Sequence, residues 1–326
     1  RRLLENTSNE SFLRHSFAEH WSPEELLKPP GPVPGPSEVS PAPSAPALGE
    51  PAPFRNEPEL DFTHEEHRRG MHEALIAVRS RFDRFHPLII GGEEVRTTRD
   101  LVSRNPARPE ETVGRSALAD LQAAEQALYA ARKAFPGWAS TLPRARAELL
   151  FQAAALMRRK RVELAAWEVT EVGKPWREAD ADVAESIDYL EYYGREMLRL
   201  GKGQRLGDAP GEVNEYLYRP RGVAVIIAPW NFPLAILTGM TSAALVTGNT
   251  AIMKPAEQSP VMAWHLMTIF QEAGFPAGVV NYLPGLGEEV GEYLVTSPLV
   301  DLVAFTGARG VGLRIYELAA QTKKDQ

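Results

Sequence analysis

The sequence predicts an α/β fold, a doubly wound parallel sheet preceded by helices and a disordered Pro-rich linker. Four short apolar runs carry that reading: Val223–Ala228, Thr250–Met253, Val279–Leu283 and Leu302–Phe305, each halted by a polar, Gly- or Pro-containing cluster. A strand buried on both faces reads in this way, as a brief β-branched run bounded by turn residues. The runs also alternate with helical patterns, and repeated β-α-β-α implies right-handed crossovers between parallel strands. In such sheets ligands gather where the chain leaves the carboxyl ends of the strands. Trp230, Asn231, Lys254 and Glu257, which follow the first two runs, therefore stand at the edge of a site.

Taken in order, residues 1–27 read as short helical pieces, with Leu3, Leu4, Phe12, Leu13 and Phe17 among polar residues and a Ser22-Pro23 helix start. Residues 28–53 change character to P-P-G-P-V-P-G-P and S-P-A-P-S-A-P. Such a stretch buries too little apolar surface to offset its ordering entropy, so it reads as a linker. From Phe54 the chain becomes regular. Glu65–Phe82 has Met71, Leu75, Val78 and Phe82 at helical spacing, and Pro87–Ile90, Gly91-Gly92 and Glu93–Arg96 read as a hairpin. Leu118–Phe135, Arg144–Glu171 and Trp176–Leu200 read as helices, the last with Val183, Ile187, Leu190 and Met197 as its core stripe. Val213–Tyr218 alternates like an exposed strand. Ser259 and Pro260 open a helix that Gly274 closes, and further helices run from Glu288 to Thr296 and onward from Ala308.

Composition narrows the function. The 326 residues are 44% hydrophobic and 24% charged, as in ordinary globular proteins. A net charge of −7 argues against a nucleic-acid binder. No apolar run approaches the ~20 residues of a membrane helix, and Arg1-Arg2-Leu3-Leu4-Glu5 has no signal-peptide core. The absence of cysteine excludes disulfides and thiolate metal sites and fits a cytoplasmic location. The first residue is Arg, so the chain is expected to begin inside a longer reading frame.

Gly285-Leu286-Gly287-Glu288-Glu289-Val290-Gly291 approaches a dinucleotide fingerprint, with its last glycine one residue late. Phe305-Thr306-Gly307-Ala308 is a second strand-to-helix turn, and a helix N-terminus there offers free N–H groups to a pyrophosphate. Asn231 reads either as a turn asparagine bonded to its own backbone or as an amide donor to a developing oxyanion. His64-Glu65-Glu66-His67 lacks the spacing of a zinc helix, Arg158-Arg159-Lys160-Arg161 reads as the wet face of a helix, and Asp180, Asp182, Glu185 and Asp188 as its acidic counterpart.

P-W-N-F-P, K-P-A-E, G-x-G-x-x-x-G and F-T-G-A, in this order, resemble the nucleotide domain of the aldehyde dehydrogenase superfamily. The resemblance covers about Phe54 to Thr322 and implies NAD as cofactor. It implies that Lys254 and Glu257 hold the adenosine ribose, and that Gly287 and Gly291 admit the adenine end. Ala228, Pro229, Trp230 and Ala256 become cofactor contacts, with Trp230 beside the diphosphate. Phe305, Thr306, Gly307, Ala308 and Val311 lie toward the pyrophosphate and nicotinamide. Ala308 replaces the family's usual serine, so one phosphate hydrogen bond is missing. Asn231 becomes the catalytic oxyanion donor, Phe232 a wall of the aldehyde pocket and Glu171 a polar substrate contact, with packing or a surface charge as the alternative for the last two. The family's general base, its cysteine nucleophile and a second ribose-binding glutamate are expected beyond Gln326, in a catalytic domain this sequence does not include.

Arg1-Arg2-Leu3-Leu4-Glu5-Asn6, with Asn9 and Ser11-Phe12, resembles the last helix of the proline dehydrogenase barrel. There paired arginines matching Arg1 and Arg2 clamp the proline carboxylate, in a barrel that uses FAD. The order of a barrel remnant (1–27), a linker (28–53) and an NAD-binding part (54–326) resembles the bifunctional proline utilisation A proteins. Phe54-Arg55-Asn56-Glu57-Pro58 and the Glu178–Tyr193 helix look like the same branch. This implies NAD-dependent oxidation of L-glutamate γ-semialdehyde to glutamate, in a homo-oligomer. A non-catalytic NAD-binding or oligomerisation module, or a dehydrogenase for another semialdehyde, stays open.

Overall fold

A computed structural model of the chain describes residues 51–207 and 209–322. Arg1, Arg2, the helical pieces over 1–27 and most of the linker lie outside the described residues. Apart from Pro51 and Ala52, the described residues belong to the second of two compact units, Pro53–Gln326.

The centre of this unit is a six-stranded sheet. Its strands are β2 (Leu88–Ile90), β3 (Glu93–Val95), β8 (Val223–Ile227), β9 (Thr250–Lys254), β10 (Val280–Tyr282) and β11 (Leu302–Phe305). Their order across the sheet is β11-β8-β9-β10-β2-β3. β11, β8, β9 and β10 are mutually parallel, as predicted. The hairpin β2–β3 also forms, but it joins this sheet, pairing antiparallel through Ile89 and Tyr282.

Alternation along the strands sorts the core. Val223, Val225 and Ile252 face one side, where they meet Ala124, Leu128, Val290 and Leu294. Ala224, Ile226, Ala251 and Met253 face the other, against Leu237, Leu245, Leu266 and Phe270. Period-two burial of this kind fixes strand register, because a one-residue slip would exchange the two faces.

The helices are α1 (Glu65–Arg79), α2 (Leu121–Ser140), α3 (Pro143–Arg159), α4 (Arg161–Glu171), α5 (Trp176–Leu200), α6 (Ala235–Val246), α7 (Pro260–Glu272), α8 (Glu292–Thr296) and α9 (Arg309–Thr322). Several depart from expectation. The helix foreseen over Arg144–Glu171 breaks at Lys160, giving α3 and α4. α2 starts later than Leu118 because the amides of Leu118 and Ala119 bond to Arg99 and Pro284, while the Asp120 carboxylate accepts from Ala123 N at 2.8 Å. It also runs past Pro136 to Ser140; Trp138, whose Nε1 donates to Leu245 O at 3.0 Å, anchors that extra turn. The predicted strand over Val213–Tyr218 shrinks to β7 (Glu215–Tyr216), paired with β6 (Gln204–Arg205).

A second sheet was not foreseen. β1 (Arg84–His86), β5 (Arg108–Ala117) and β4 (Asp100–Asn105) form it, in the order β1-β5-β4. The charge clusters read correctly only in part: Arg158, Arg159 and Glu185 are exposed, as expected. Asp180 and Asp182, expected on a wet helix face, are buried on α5, and Arg161 is buried on α4. Arg161 Nε and Nη2 donate to the two Asp180 carboxylate oxygens at 2.7 Å each, a bidentate pair that removes both charges from water.

Candidate functional site

The chain leaves β8 for β9 and β10 on one side, then returns to place β11 on the other. The sheet order therefore reverses at β8, and the crevice beyond the carboxyl ends of β8 and β11 is the position at which open α/β sheets hold ligands. Thr306 N donates to Ile227 O at 3.1 Å, which ties the turn after β11 to the turn after β8. Ala228 through Phe232 and Phe305 through Ala308 thus share one sheet edge.

Next to it, Lys254 ends β9, buried except for about 4% of its surface. Its Nζ lies 2.8 Å from Glu257 Oε1. The Gly287–Gly291 segment folds over this pair as a single wide π-type turn before α8. A Cβ on Gly287 would lie 3.9 Å from Glu257 Oε1, and one on Gly291 would lie 3.8 Å from Lys254 Cε. Any larger side chain at either position would fill the space above the ion pair. These four residues, from two separate segments of the chain, form one cradle with a charged floor and a roof without side chains. Ala256, between Lys254 and Glu257 in sequence, is buried, its carbonyl accepting from Ser259 N at 3.2 Å.

The turn after β8 presents Trp230 and Phe232 to solvent, 52% and 38% exposed, with Asn231 between them. The Asn231 amide makes no hydrogen bond to any described residue, so its N–H₂ is available to an incoming oxygen. Phe232 is held from behind: Lys174 Nζ lies 4.3 Å from its ring centroid. Sequence reasoning missed Lys174. Phe305 turns its ring back on its own loop, where Cβ atoms on Gly307 and Gly312 would come within 2.8 and 3.0 Å of it. Val311 stands half exposed on α9. Beside the same edge, Tyr189, Tyr193, Ile236, Met240, Leu302 and Thr306 line an apolar groove of about 540 Å³.

Glu171 does not join the site. It is buried at the end of α4, where Oε1 accepts from Ser103 Oγ at 3.0 Å and Val261 N at 2.8 Å, and Oε2 accepts from Met262 N at 2.7 Å. The carboxylate satisfies two of the free amides that open α7, so its acceptor capacity is used within the fold. Burial nevertheless pushes it up to about 7 against the three donors. A helix-end glutamate in a Gly-containing turn gives no sequence sign of this, because its partners lie about 70 to 90 residues away.

Among the described residues no cluster of potential metal ligands occurs, and no helix is long and apolar enough to cross a membrane. The sequence profile of the aldehyde dehydrogenase family matches residues 94–326. A 1-pyrroline-5-carboxylate dehydrogenase of Geobacillus kaustophilus is 52% identical over 274 residues, 84% of this chain and 53% of that protein. The crystal structure of a Thermus 1-pyrroline-5-carboxylate dehydrogenase with bound NAD superposes with a TM-score of 0.82 at 53% identity, over 84% of this chain and 53% of that one. Proline utilization A of Bdellovibrio bacteriovorus, inactivated by N-propargylglycine, superposes with a TM-score of 0.83 at 46% identity, over 100% of this chain and 33% of that one. The chain spans about half the length, 53%, of the curated relatives it matches. With its sheet order, its cradle and these matches, the chain belongs to the aldehyde dehydrogenase family.

Proposed function

We propose that this chain carries the NAD-binding portion of an enzyme that oxidises L-glutamate γ-semialdehyde to L-glutamate in proline catabolism. The observation that carries the reading is the cradle of Lys254, Glu257, Gly287 and Gly291 at the carboxyl end of β9. Its polar floor matches a ribose, which needs donors and acceptors for adjacent hydroxyls, and its glycine roof leaves room for a flat base. When bound, NAD supplies the hydride acceptor. Lys254 and Glu257 would hold the ribose hydroxyls, and Trp230, with Ala228 and Pro229, would border the diphosphate. Thr306, Gly307, Ala308 and Val311 would line the path to the nicotinamide, with Phe305 supporting that turn from beneath.

Asn231 is the catalytic donor in this reading. Its free amide would hydrogen-bond the aldehyde oxygen as charge develops there, and one such donor is worth roughly 10²–10³ in turnover. Phe232 would wall the substrate pocket. The relatives named for 1-pyrroline-5-carboxylate support this substrate, because glutamate γ-semialdehyde is its hydrolysed form. The likeness to proline utilization A supports a parent protein that also contains an FAD-dependent proline dehydrogenase, to which Arg1 and Arg2 would belong as carboxylate ligands. The exposed Leu206, Val213, Tyr216, Leu217 and Tyr218 around β6 and β7 support a homo-oligomer, since an apolar arm of this kind suits a subunit contact. The absence of cysteine supports a reducing, cytoplasmic setting.

Calorimetric titration of the chain with NAD tests the proposal. Lys254→Met is expected to weaken binding about tenfold or more, the loss of one charge-assisted hydrogen bond. Gly291→Leu is expected to block binding by filling the cradle. Absence of NAD binding at millimolar concentration would refute the reading.

A further inference from the structure

Behind the turn that carries Asn231 lies a buried group of three ionisable side chains that the proposed chemistry does not use. Lys174, in the loop between α4 and α5, has a side chain only 8% exposed, and it contacts two carboxylates that are fully shielded from solvent. Glu168 Oε2 on α4 lies 3.2 Å from Lys174 Nζ. Asp182 on α5 makes a very short ion pair with the same ammonium. Asp182 Oδ1 also accepts from Ala235 N at 2.6 Å, at the first residue of α6. Two carboxylates against one ammonium leave an excess negative charge, which burial does not tolerate. Burial, aided by the neighbouring Asp182, holds the Glu168 carboxyl well above its usual range.

The same ammonium stands over the Phe232 ring at 4.3 Å. The segment from Pro229 to Ala235 is therefore gripped at two points from one buried cluster. Lys174 holds Phe232 through its ring face, and Asp182 holds Ala235 through its amide at the positive end of the 12-residue helix α6. Asn231, whose own amide has no partner among the described residues, is adjacent to the first of these points.

We propose that Lys174, fixed by Asp182 and Glu168, is a positioning residue that clamps the Trp230-Asn231-Phe232 turn so that the free amide of Asn231 keeps one direction. The clamp acts through Phe232 and touches neither substrate nor cofactor. It rests on the reading of Asn231 as a donor.

Hydrogen exchange of the whole chain, without added NAD or substrate, tests it. Lys174→Met removes the charge at similar length. It is expected to speed exchange across 229–236 by about threefold to thirtyfold, the range of a partly desolvated cation–ring contact. β8, immediately before the turn, should be unchanged, and Lys174→Arg should restore most of the protection. In ¹⁵N-labelled chain, the Asn231 side-chain amide signal, identified by its loss in Asn231→Ala, should shift in Lys174→Met and return in Lys174→Arg. Unchanged exchange over 229–236, or an equal rise across Val223–Ile227, would overturn the proposal. Should Lys174→Met not fold, Phe232→Leu removes the ring while leaving Lys174, Glu168 and Asp182 in place, and must produce the same local acceleration or the proposal fails. Because no cofactor is present, a negative result here strikes the clamp alone, whereas absent NAD binding strikes the reading of the site.

Discussion

Asp180→Ala offers the most direct measure of how α4 and α5 are held together. Asp180 is fully buried and accepts from Arg161 Nε and Nη2 and from Leu60 N, all at 2.7 Å. Truncation would strand a buried guanidinium and leave the Leu60 amide without its acceptor. Breaking a buried pair on one side costs about 3–5 kcal/mol. The lower part of that range applies here, since Glu57 Oε1 remains 3.6 Å from Arg161 Nη1 as a residual counter-charge. A loss of about 3–4 kcal/mol corresponds to roughly 6–12 °C in Tm for a unit of this size. Urea unfolding followed by circular dichroism should show a lower midpoint with an unchanged slope. The double variant Asp180→Leu with Arg161→Met removes both charges and should regain most of the loss, because an apolar pair carries no desolvation cost. A single variant within about 1 kcal/mol of the parent, or a double variant worse than the single, would refute the reasoning.

Three further outcomes follow. His86 is buried against Trp264, with His265 nearby and Arg84 beside it on the same strand, and burial followed by Arg84 lowers it to about 4. A histidine depressed in the fold contributes fully above its unfolded value near 6.5, and that contribution drains away as pH falls toward 4. Against His86→Phe, the parent should therefore lose about 2–3 kcal/mol between pH 7 and pH 4.5, measured by urea midpoints; parallel profiles would dismiss the effect. Gly222→Ala, at φ +144°, would set a Cβ 1.9 Å from Asp301 Oδ2, displacing the carboxylate that accepts from Val223 N, and should destabilise by about 1–3 kcal/mol in thermal melts. The chain has no cysteine, so NADH formation from glutamate γ-semialdehyde should not exceed a protein-free blank; measurable turnover would mean that another group attacks the aldehyde.

The sequence revealed elements whose pattern is local and hid those whose logic is distant. α5 was legible to the residue because Val183, Ile187, Leu190 and Met197 recur at helical spacing and all are buried. α6 was not, because it is buried almost all round, Thr238, Thr241 and Ser242 included, and so has no polar face to set a period. β4 and β5 escaped because their solvent-exposed residues, among them Arg108, Pro109 and Glu110, look like loop. The break at Lys160 escaped because apolar positions continue across it. At the site, the motif residues Lys254, Glu257, Gly287 and Gly291 do converge. Asp182 behind it was misjudged, since an Asp in a run of acidic helix residues reads as wet until its partner Lys174 is seen.

The antiparallel seam between β10 and β2 bears on how the chain reaches this structure. Gly91 N bonds to Asn281 Oδ1 at 2.8 Å, across a separation of 190 residues. The hairpin β2–β3 can form as soon as its own few residues are available, on the microsecond scale of such turns. Its sheet partner is β10, which itself pairs only with β9 and β2. During synthesis the hairpin therefore has no sheet partner until β10 has emerged. Closing so long a loop comes before its contacts reward it, which makes this docking a candidate for the slow step of folding. Glu93 and Glu94 on the outer strand would keep the waiting hairpin from pairing with another chain in the meantime.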